Sequence, residues 1–413
     1  NVTSTQFNVN TTVSGSYRTT GSGNWLSNSG TPAIWERFNG SAWVTSNSPS
    51  YNTSNIVFIR NGHTINTGGS WGSSVNMFIN SGARFNVNHS GTSANLTILD
   101  GGSVTVNANL SMSSSGVLEV QDNGTLTIDF EYGNPLTSLW AGTELYHPDS
   151  NLIFNDFDCA DEYLIYDNTS ISTHTFGSYS AAFGNVIFDF GNNLAANDDW
   201  IMLDSGVNIN MAHGDLIFRS TSSGADMRIA TTGTVNSGIG GDFIVEDIYD
   251  NTRAITFKTS GLMDFTIQGD MELNAATTRI HAGSAGTGTT LNINGDLRIT
   301  PSAVLNMNPS SAAGPYAKLF LMGDVDVAGS GLLTNGNSQV QGEFYFIGSG
   351  DGLTDATTQT IDIASTSSIE NRYITFYVEN DSYVKQINRN FELGSNSALL
   401  VRFGGTYDFG FNG

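Results

Sequence analysis

A Gly-Asp pair between two short alternating apolar runs recurs along the second half of the chain. Three of its copies read FTIQGDMEL, LNINGDLRI and LFLMGDVDV. Successive aspartates of the series are 27, 28, 26 and 28 residues apart, and they are Asp215, Asp242, Asp270, Asp296 and Asp324. A fixed period of roughly 20–50 residues is typical of a solenoid or a propeller.

The content of each period decides between these two architectures. Each holds about three short runs of alternating apolar and polar residues, which predict strands, and no helical pattern. Propeller blades usually need about 40 residues, whereas a shorter period fits one coil of a parallel β-helix. Parallel crossover connections are right-handed by default. The sequence therefore predicts an all-β fold, a right-handed parallel β-helix.

The Gly-Asp pair itself is interpreted as an architectural corner. Glycine permits a positive φ or a close approach of two backbones, and aspartate accepts hydrogen bonds from backbone N–H groups in turns. We expect the five aspartates to bond to backbone in stacked, equivalent turns. Glu343 of QGEFYF is expected to continue the series. The alternative is a metal-binding ladder of carboxylates.

The N-terminal stretch differs from these repeats. Residues 1–75 are predicted to form a β-rich cap that contains Trp25, Trp35 and Trp43, and residues 76–413 the β-helix. The first coils are expected in phrases such as FINSGARFNV and LTILDGGSVTV. Large aromatic rings can plug the open end of a solenoid, where apolar core and unpaired strands would meet water. Alternatively, the three flat rings form a carbohydrate-binding surface.

Composition narrows the range of partners. The 413 residues carry a net charge of -23 and only three lysines, so the surface repels nucleic acid and anionic membranes. Cys159 is the single cysteine, which excludes an intramolecular disulfide. No apolar run approaches the roughly 18 residues of a membrane helix. We expect a secreted protein whose partners are an extracellular glycan, a surface component or further subunits.

One acidic run is a candidate for calcium. NDFDCADE carries Asp156, Asp158, Asp161 and Glu162, and Ca²⁺ takes six to eight oxygen ligands from carboxylates and loop carbonyls. The run lacks the spacing of an EF-hand loop, and a solvated acidic turn is the alternative. No other cofactor is expected.

Several phrases carry a family resemblance. GNW, then WE, an NGSAW hairpin and a strand ending in NGHT resemble the start of large secreted surface proteins of Bacteroidota. GTELYHPDSNLIF and AAFGNVIFDF fit the same group. The resemblance implies an adhesin-like protein of the cell surface, exported by the type IX secretion system through a C-terminal sorting domain. The sequence ends at YDFGFNG without such a domain, so this export route is implied by the resemblance alone.

Enzymes with this fold offer a second hypothesis. Asp198, Asp199 and His213 weakly match the Asp-Asp and Gly-His-Gly elements of polygalacturonases, but the upstream Asn-Thr-Asp and the following Arg-x-Lys are missing. Lyases of this fold abstract a proton with Arg or Lys. The candidate arginines are spread along the coils, and they are Arg219, Arg228, Arg253, Arg279 and Arg298.

The sequence therefore favours a non-catalytic extracellular surface protein, an adhesin, stalk or filament-like element. A polysaccharide-active enzyme and a carbohydrate-binding module are the alternatives. The last residues, ALLVRFGGTYDFGFNG, are rich in large apolar side chains and lack a polar capping segment. Burying one such side chain is worth about 1.5–3 kcal/mol, so we expect the natural chain to continue beyond Gly413 or to dock on another subunit there.

Overall fold

The structure is a computed structural model. It describes residues 13–25, 34–50, 53–70, 75–129, 139, 141–155, 163–166, 172–190, 199–220, 226–230, 232–248, 254–282, 288–309, 316–336, 338–348, 358–363, 372–388, 391 and 393–410. All the regular secondary structure of these residues is strand. No helix in this part of the chain has the length and hydrophobicity of a transmembrane segment.

The chain divides into two compact units. Unit 1 comprises Asn1–Glu131 and Thr137–Leu152, and unit 2 comprises Tyr132–Leu136 and Ile153–Gly413. Strand β14 (Asn151–Asn155) contains the boundary between them.

Unit 1 is built from two sheets. Its strands are β1 (Tyr17–Thr19), β2 (Gly23–Asn24), β3 (Trp35–Phe38), β4 (Trp43–Ser46), β5 (Ile56–Ile59), β6 (Thr64–Asn66), β7 (Asn76–Ile79), β8 (Arg84–Val87), β9 (Gly91–Ile98), β10 (Ser103–Val106), β11 (Leu110–Val120), β12 (Thr125–Ile128) and β13 (Thr143–Tyr146). Sheet A has the order β13-β11-β9-β7-β5-β1-β3-β4, and sheet B contains β2-β6-β8-β10-β12. From β5 onward the chain alternates between the two sheets, so each coil has two strands.

Corners with a left-handed residue join these strands. At Asn80–Ala83 the Ala83 N–H bonds to the Asn80 carbonyl at 2.9 Å, and Gly82 between them has a φ of 68°. The bond from His63 N–H to the Arg60 carbonyl, at 3.0 Å, closes the same corner one coil earlier. The NGHT phrase is therefore an ordinary coil corner.

The predicted cap boundary at residue 75 falls after the first coils. Parallel pairing already joins β1 to β5, β5 to β7 and β6 to β8, whereas the pairs β1–β3 and β3–β4 are antiparallel. The sequence pattern missed this because β5 and β6 follow directly on the tryptophan-rich segment.

Unit 2 winds through three sheets. Its strands after β14 are β15 (Tyr163–Tyr166), β16 (His174–Phe176), β17 (Tyr179–Phe183), β18 (Asn185–Phe190), β19 (Asp199–Leu203), β20 (Asn210–Ala212), β21 (Leu216–Ser220), β22 (Asp226–Ala230), β23 (Thr234–Ile239), β24 (Phe243–Ile248), β25 (Ala254–Lys258), β26 (Leu262–Ile267), β27 (Met271–Leu273), β28 (Thr277–His281), β29 (Gly288–Ile293), β30 (Leu297–Ile299), β31 (Val304–Asn306), β32 (Tyr316–Leu321), β33 (Val325–Val327), β34 (Leu332–Thr334), β35 (Gly342–Phe346), β36 (Gln359–Ile363), β37 (Ile374–Val378), β38 (Tyr383–Gln386), β39 (Ala398–Val401) and β40 (Thr406–Asp408). Sheet C is β15-β19-β22-β25-β28-β31-β34, sheet D is β16-β17-β20-β23-β26-β29-β32-β35-β37-β39, and sheet E contains β18-β21-β24-β27-β30-β33-β36-β38-β40.

One coil of unit 2 explains the longer period. The chain runs through β26 in sheet D, β27 in sheet E and β28 in sheet C, and then β29 returns to sheet D parallel to β26. The pairing is in register from Leu262 with Gly288 to Ile267 with Ile293. The predicted parallel β-helix with about three strands per coil is therefore confirmed.

Apolar side chains of equivalent positions stack inside unit 2. Phe188 lies between Phe154 and Phe218, with ring centroids 5.2 and 5.4 Å away and interplanar angles of 12°. Each of these three rings is at most 1% exposed. In-register stacking of identical side chains lets each coil bury its apolar face on the next.

The last strands carry several exposed apolar side chains. Leu400, Val401 and Phe409 are 46%, 48% and 59% exposed, and Phe403 is 99% exposed. Phe411 lies outside the described residues. The expectation that the chain continues, or docks on a subunit, stays a prediction.

Candidate functional site

The Gly-Asp corners form a continuous hydrogen-bonded ladder. Asp296 N–H donates to Asp270 Oδ1 at 2.8 Å, and Asp324 N–H donates to Asp296 Oδ1 at 2.9 Å. Equivalent bonds join Asp242 to Asp215 at 2.8 Å and Asp270 to Asp242 at 2.7 Å. The five predicted aspartates thus occupy equivalent stacked turns, and each carboxylate accepts the backbone N–H of the next coil.

Other side chains extend the ladder at both ends. Asn185 Oδ1 accepts the Asp215 N–H at 2.8 Å, and Asp324 Oδ1 accepts the Thr360 N–H at 2.6 Å.

Glu343 does not continue the series, so that prediction is wrong. It lies in β35 of sheet D, paired with Lys318 at 2.8 Å, because the Gly of QGEFYF starts a strand rather than ending one.

The glycines of this ladder serve close approach. Gly295 has no positive φ, and a Cβ there would collide with Asp270 Oδ1 and lie 2.5 Å from the Gly269 carbonyl oxygen. The Gly295 N–H bonds to the same carbonyl at 2.9 Å. The sequence allowed two roles for this glycine, a positive φ or a close approach of two backbones. The structure shows the close approach.

Arg298 neutralises part of the carboxylate row. Its guanidinium lies 3.0 Å from Asp270, 2.7 Å from Glu272 and 2.8 Å from Asp296. The hydrogen bond to Glu272, with the charges of both aspartates, raises the pKa of Arg298. Among the described residues, no three His, Cys, Asp or Glu side chains converge in a way that could hold a metal ion. The geometry therefore gives the aspartates a structural role.

The predicted calcium ligands Asp156, Asp158, Asp161 and Glu162 lie outside the described residues, so the calcium site stays a prediction. Asp198 and Arg253 also lie outside them.

The other residues of the enzymatic hypothesis lie on different sheets. Asp199 begins β19 of sheet C, whereas His213 follows β20 of sheet D. Arg219 and Arg298 belong to sheet E, and Arg228 and Arg279 to sheet C, so the candidate arginines are divided between two sheets.

The three tryptophans have two different environments. Trp25 and Trp35 are 1% and 0% exposed, their ring centroids are 5.2 Å apart, and the Trp25 ring N–H donates to the Pro49 carbonyl at 3.0 Å. Neither ring offers a free face to a sugar. Trp43 is half-buried, and the Arg18 guanidinium lies 4.4 Å from its ring centroid. Trp25 and Trp35 are thus core residues of unit 1.

A ladder of rings on sheet D was not predicted from the sequence. Tyr345 lies between Phe320 and Tyr377, with centroids 4.4 and 4.6 Å away and interplanar angles of 9° and 10°. Arg402 lies 4.7 Å from the Tyr377 centroid. Tyr345 is therefore covered on both faces, and Tyr377 by Tyr345 and Arg402, so neither tyrosine has a face free for stacking a ligand.

An uncharged groove lies elsewhere on unit 2. Its volume is ≈ 350 Å³, and its lining residues are Thr173, Ser180, Asn208, Ile209, Asn210 and Asn236. Asn236 Nδ2 donates to Asn208 Oδ1 at 3.0 Å, and Asn210 Nδ2 donates to the Ser180 carbonyl at 3.0 Å. These residues were not predicted from the sequence, because they come from three separate segments that share no motif.

Packing behind the groove fixes the hairpin of β16 and β17. His213 makes edge contacts with Phe176 and Tyr179, at centroid distances of 5.1 and 6.0 Å. Burial lowers the pKa of His213 and raises that of Tyr179. The hairpin that carries Ser180 is therefore held on β20.

Comparison with known proteins adds little to this geometry. No protein-family model and no curated protein matches the sequence. A solved structure described as a TibC-catalysed hyper-glycosylated TibA55-350 fragment is 12% identical, and the alignment covers 85% of this chain and 91% of that chain with a TM-score of 0.17. The fold assignment accordingly depends on the strand pairing described above.

Removing one carboxylate from the ladder tests its structural role. Asp296→Ala deletes the acceptor of the Asp324 N–H and is expected to lower the free energy of unfolding by about 1–2 kcal/mol. Asp296→Asn keeps an Oδ1 acceptor, as Asn185 does naturally, and is expected to lose less than about 0.5 kcal/mol. Urea unfolding followed by circular dichroism measures both. Equal losses would mean that charge, rather than the hydrogen bond, stabilises the corner.

Proposed function

We propose that this chain is a non-catalytic structural element of an extracellular surface, of the adhesin or stalk type. The observation that carries the proposal is the ladder from Asn185 to Thr360, in which the side chain of each corner is bonded to the backbone of the next coil. Polar groups that recur with the repeat are thereby used to hold the coils together. A solenoid of this kind extends by adding coils and presents its outer faces to partners.

The outer faces support the same role. Amide side chains of neighbouring coils bond to each other, as in Asn95 to Asn76 at 2.5 Å, Asn107 to Asn88 at 2.8 Å and Asn294 to Gln268 at 2.6 Å. Such bonds join neighbouring coils directly through their side chains. The resemblance to secreted surface proteins of Bacteroidota adds the further proposal of export by the type IX system.

Labelling of intact cells that produce the protein tests the location. Lys385 is exposed, whereas Lys258 is 0% exposed. A membrane-impermeant amine reagent is expected to modify Lys385 and leave Lys258 unmodified until the protein is denatured, as peptide mass spectrometry would record. A cytosolic protein of the same cells is the control. Labelling of Lys385 only after lysis would overturn the proposal of a surface location.

The enzymatic alternative needs a separate assay. The purified chain is expected to release neither reducing ends nor unsaturated uronates from neutral and uronate polysaccharides. Turnover above that of heat-denatured protein would replace the structural proposal with the enzymatic one.

A further inference from the structure

The described lining of the groove in unit 2 is uncharged, whereas the chain as a whole is strongly acidic. The lining side chains in the described part of the chain are three asparagines, a serine, a threonine and an isoleucine, and the net charge of the chain is -23. The groove's volume of ≈ 350 Å³ is at the lower end of the range for small-molecule sites, about 300–1,000 Å³. The groove therefore suits a small, uncharged, polar ligand.

The asparagine amides of the groove retain unused hydrogen-bonding capacity. An asparagine amide has two N–H donors and a carbonyl acceptor. The bond between Asn236 Nδ2 and Asn208 Oδ1 leaves the Asn208 amino group and the Asn236 carbonyl for a ligand, and both residues are exposed. This bond also holds the two side chains in place, which reduces the entropy lost when a ligand binds.

The backbone holds the same residues in position. Asn208 and Asn236 form a parallel bridge, and the Asn236 N–H donates to the Val207 carbonyl at 2.9 Å. Asn210 is anchored to the Ser180 carbonyl, on the strand packed against His213. The donors and acceptors of the groove are thus set by strands of consecutive coils.

We propose that this groove binds a neutral glycan, as one or two sugar units of an extracellular polysaccharide or glycoconjugate. Neighbouring sugar hydroxyls are each donor and acceptor, which matches the paired amides of Asn208 and Asn236 and the hydroxyls of Thr173 and Ser180. Ile209 supplies an apolar contact for the C–H groups of a pyranose ring. Among the described residues, the lining offers no cation for a uronate or a sialate, and the negative charge of the chain repels both.

This inference deepens the proposed surface function and rests on it, since the ligand belongs to the extracellular medium. The test uses the whole chain on a glycan array of neutral hexose and N-acetylhexosamine oligosaccharides, with uronate and sialate oligosaccharides as acidic counterparts. Wild-type protein is expected to bind members of the neutral set. The double variant Asn208→Ala/Asn236→Ala is expected to raise the Kd for those glycans at least tenfold.

Two further variants keep the test specific. Asn292→Ala removes a stacked amide of the same sheet, bonded to Asp264 at 2.7 Å and outside the groove, and is expected to bind like wild type. Thr173→Trp puts a large ring on the lining while both asparagines are retained, and it is expected to abolish binding even if the double variant fails to fold. Circular dichroism and the melting temperature establish folding for each protein.

Every outcome bears on the groove. Loss of binding in the groove variants with retention in Asn292→Ala supports the site. Absence of neutral-glycan binding by wild type, equal binding by Thr173→Trp, or a preference for acidic glycans overturns it. These failures leave the surface location intact, because that proposal depends on the labelling of Lys385 in intact cells.

Discussion

Replacing Gly295 with alanine is expected to destabilise unit 2 by about 3 kcal/mol or more, or to prevent its folding. The added Cβ would collide with Asp270 Oδ1 and lie 2.5 Å from the carbonyl oxygen of Gly269. That carbonyl is fixed by its bond to the Gly295 N–H, so the two coils can separate only by breaking it together with the neighbouring Asp296 to Asp270 bond. The midpoint of urea unfolding measures the loss.

Gly21→Ala is the matched control for this substitution. The nearest atom to a Cβ at Gly21 is Ile34 Cγ2, at 3.8 Å, and Gly21 has no positive φ. We expect a change of less than about 0.5 kcal/mol in this variant. Equal midpoints for Gly295→Ala and wild type would show that the corner relaxes freely, and would contradict the close-approach role of the repeated glycine.

The Gly-Asp repeat shows how much of the fold a sequence of this type encodes. A period near 27 residues with three alternating runs restricts the chain to stacked coils, and it locates every aspartate of the ladder from Asp215 to Asp324. Glu343 was misplaced because a glycine followed by an acidic residue can also begin a strand, as Gly342 does. Deciding between the two positions requires the strand register, which one sequence does not contain.

The burial of the tryptophans and the position of the groove could not be predicted from the sequence, for a different reason. Whether Trp25 faces solvent depends on residues distant in the chain, such as Phe85, whose ring centroid lies 6.1 Å away. The groove likewise joins Ser180, Asn208 and Asn236, which are neighbours only after the coils have stacked. Periodicity predicts that side chains are repeated, but it does not identify a site built where the repeat is irregular.

Two buried basic residues could have been found from the sequence. Lys258 and His281 end consecutive strands of sheet C, AITFK and TTRIH, and pair in register. Aligning the coils would have placed them side by side. From the sequence the three lysines were counted only toward the net charge, and no lysine was compared with its neighbour in the stack.

Lys258→Met is expected to stabilise the protein at pH 7 by about 1–3 kcal/mol. Lys258 is 0% exposed, and its Nζ donates to the Thr232 carbonyl at 2.7 Å. Burial lowers the pKa of Lys258 from 10.5 to about 8, so the folded chain holds the proton less tightly than the unfolded chain. The penalty is complete below pH 8, and wild-type stability should rise between pH 8 and 10.5 as the folded state loses this charge. Methionine removes both the penalty and this rise.

The same substitution acts on His281, which is also 0% exposed. Burial and then the charge of Lys258 lower the pKa of His281 from 6.5 to about 4, so wild type loses stability as the pH falls through that interval. Without the Lys258 ammonium, this loss of stability at acidic pH should become smaller.

Urea midpoints from pH 4 to 10.5 test both effects, with the exposed Lys385→Met as the control that should follow wild type. If Lys258→Met is less stable than wild type at pH 7, the bond to the Thr232 carbonyl outweighs the desolvation of the charge. Lys258 would then stabilise the fold, contrary to the prediction.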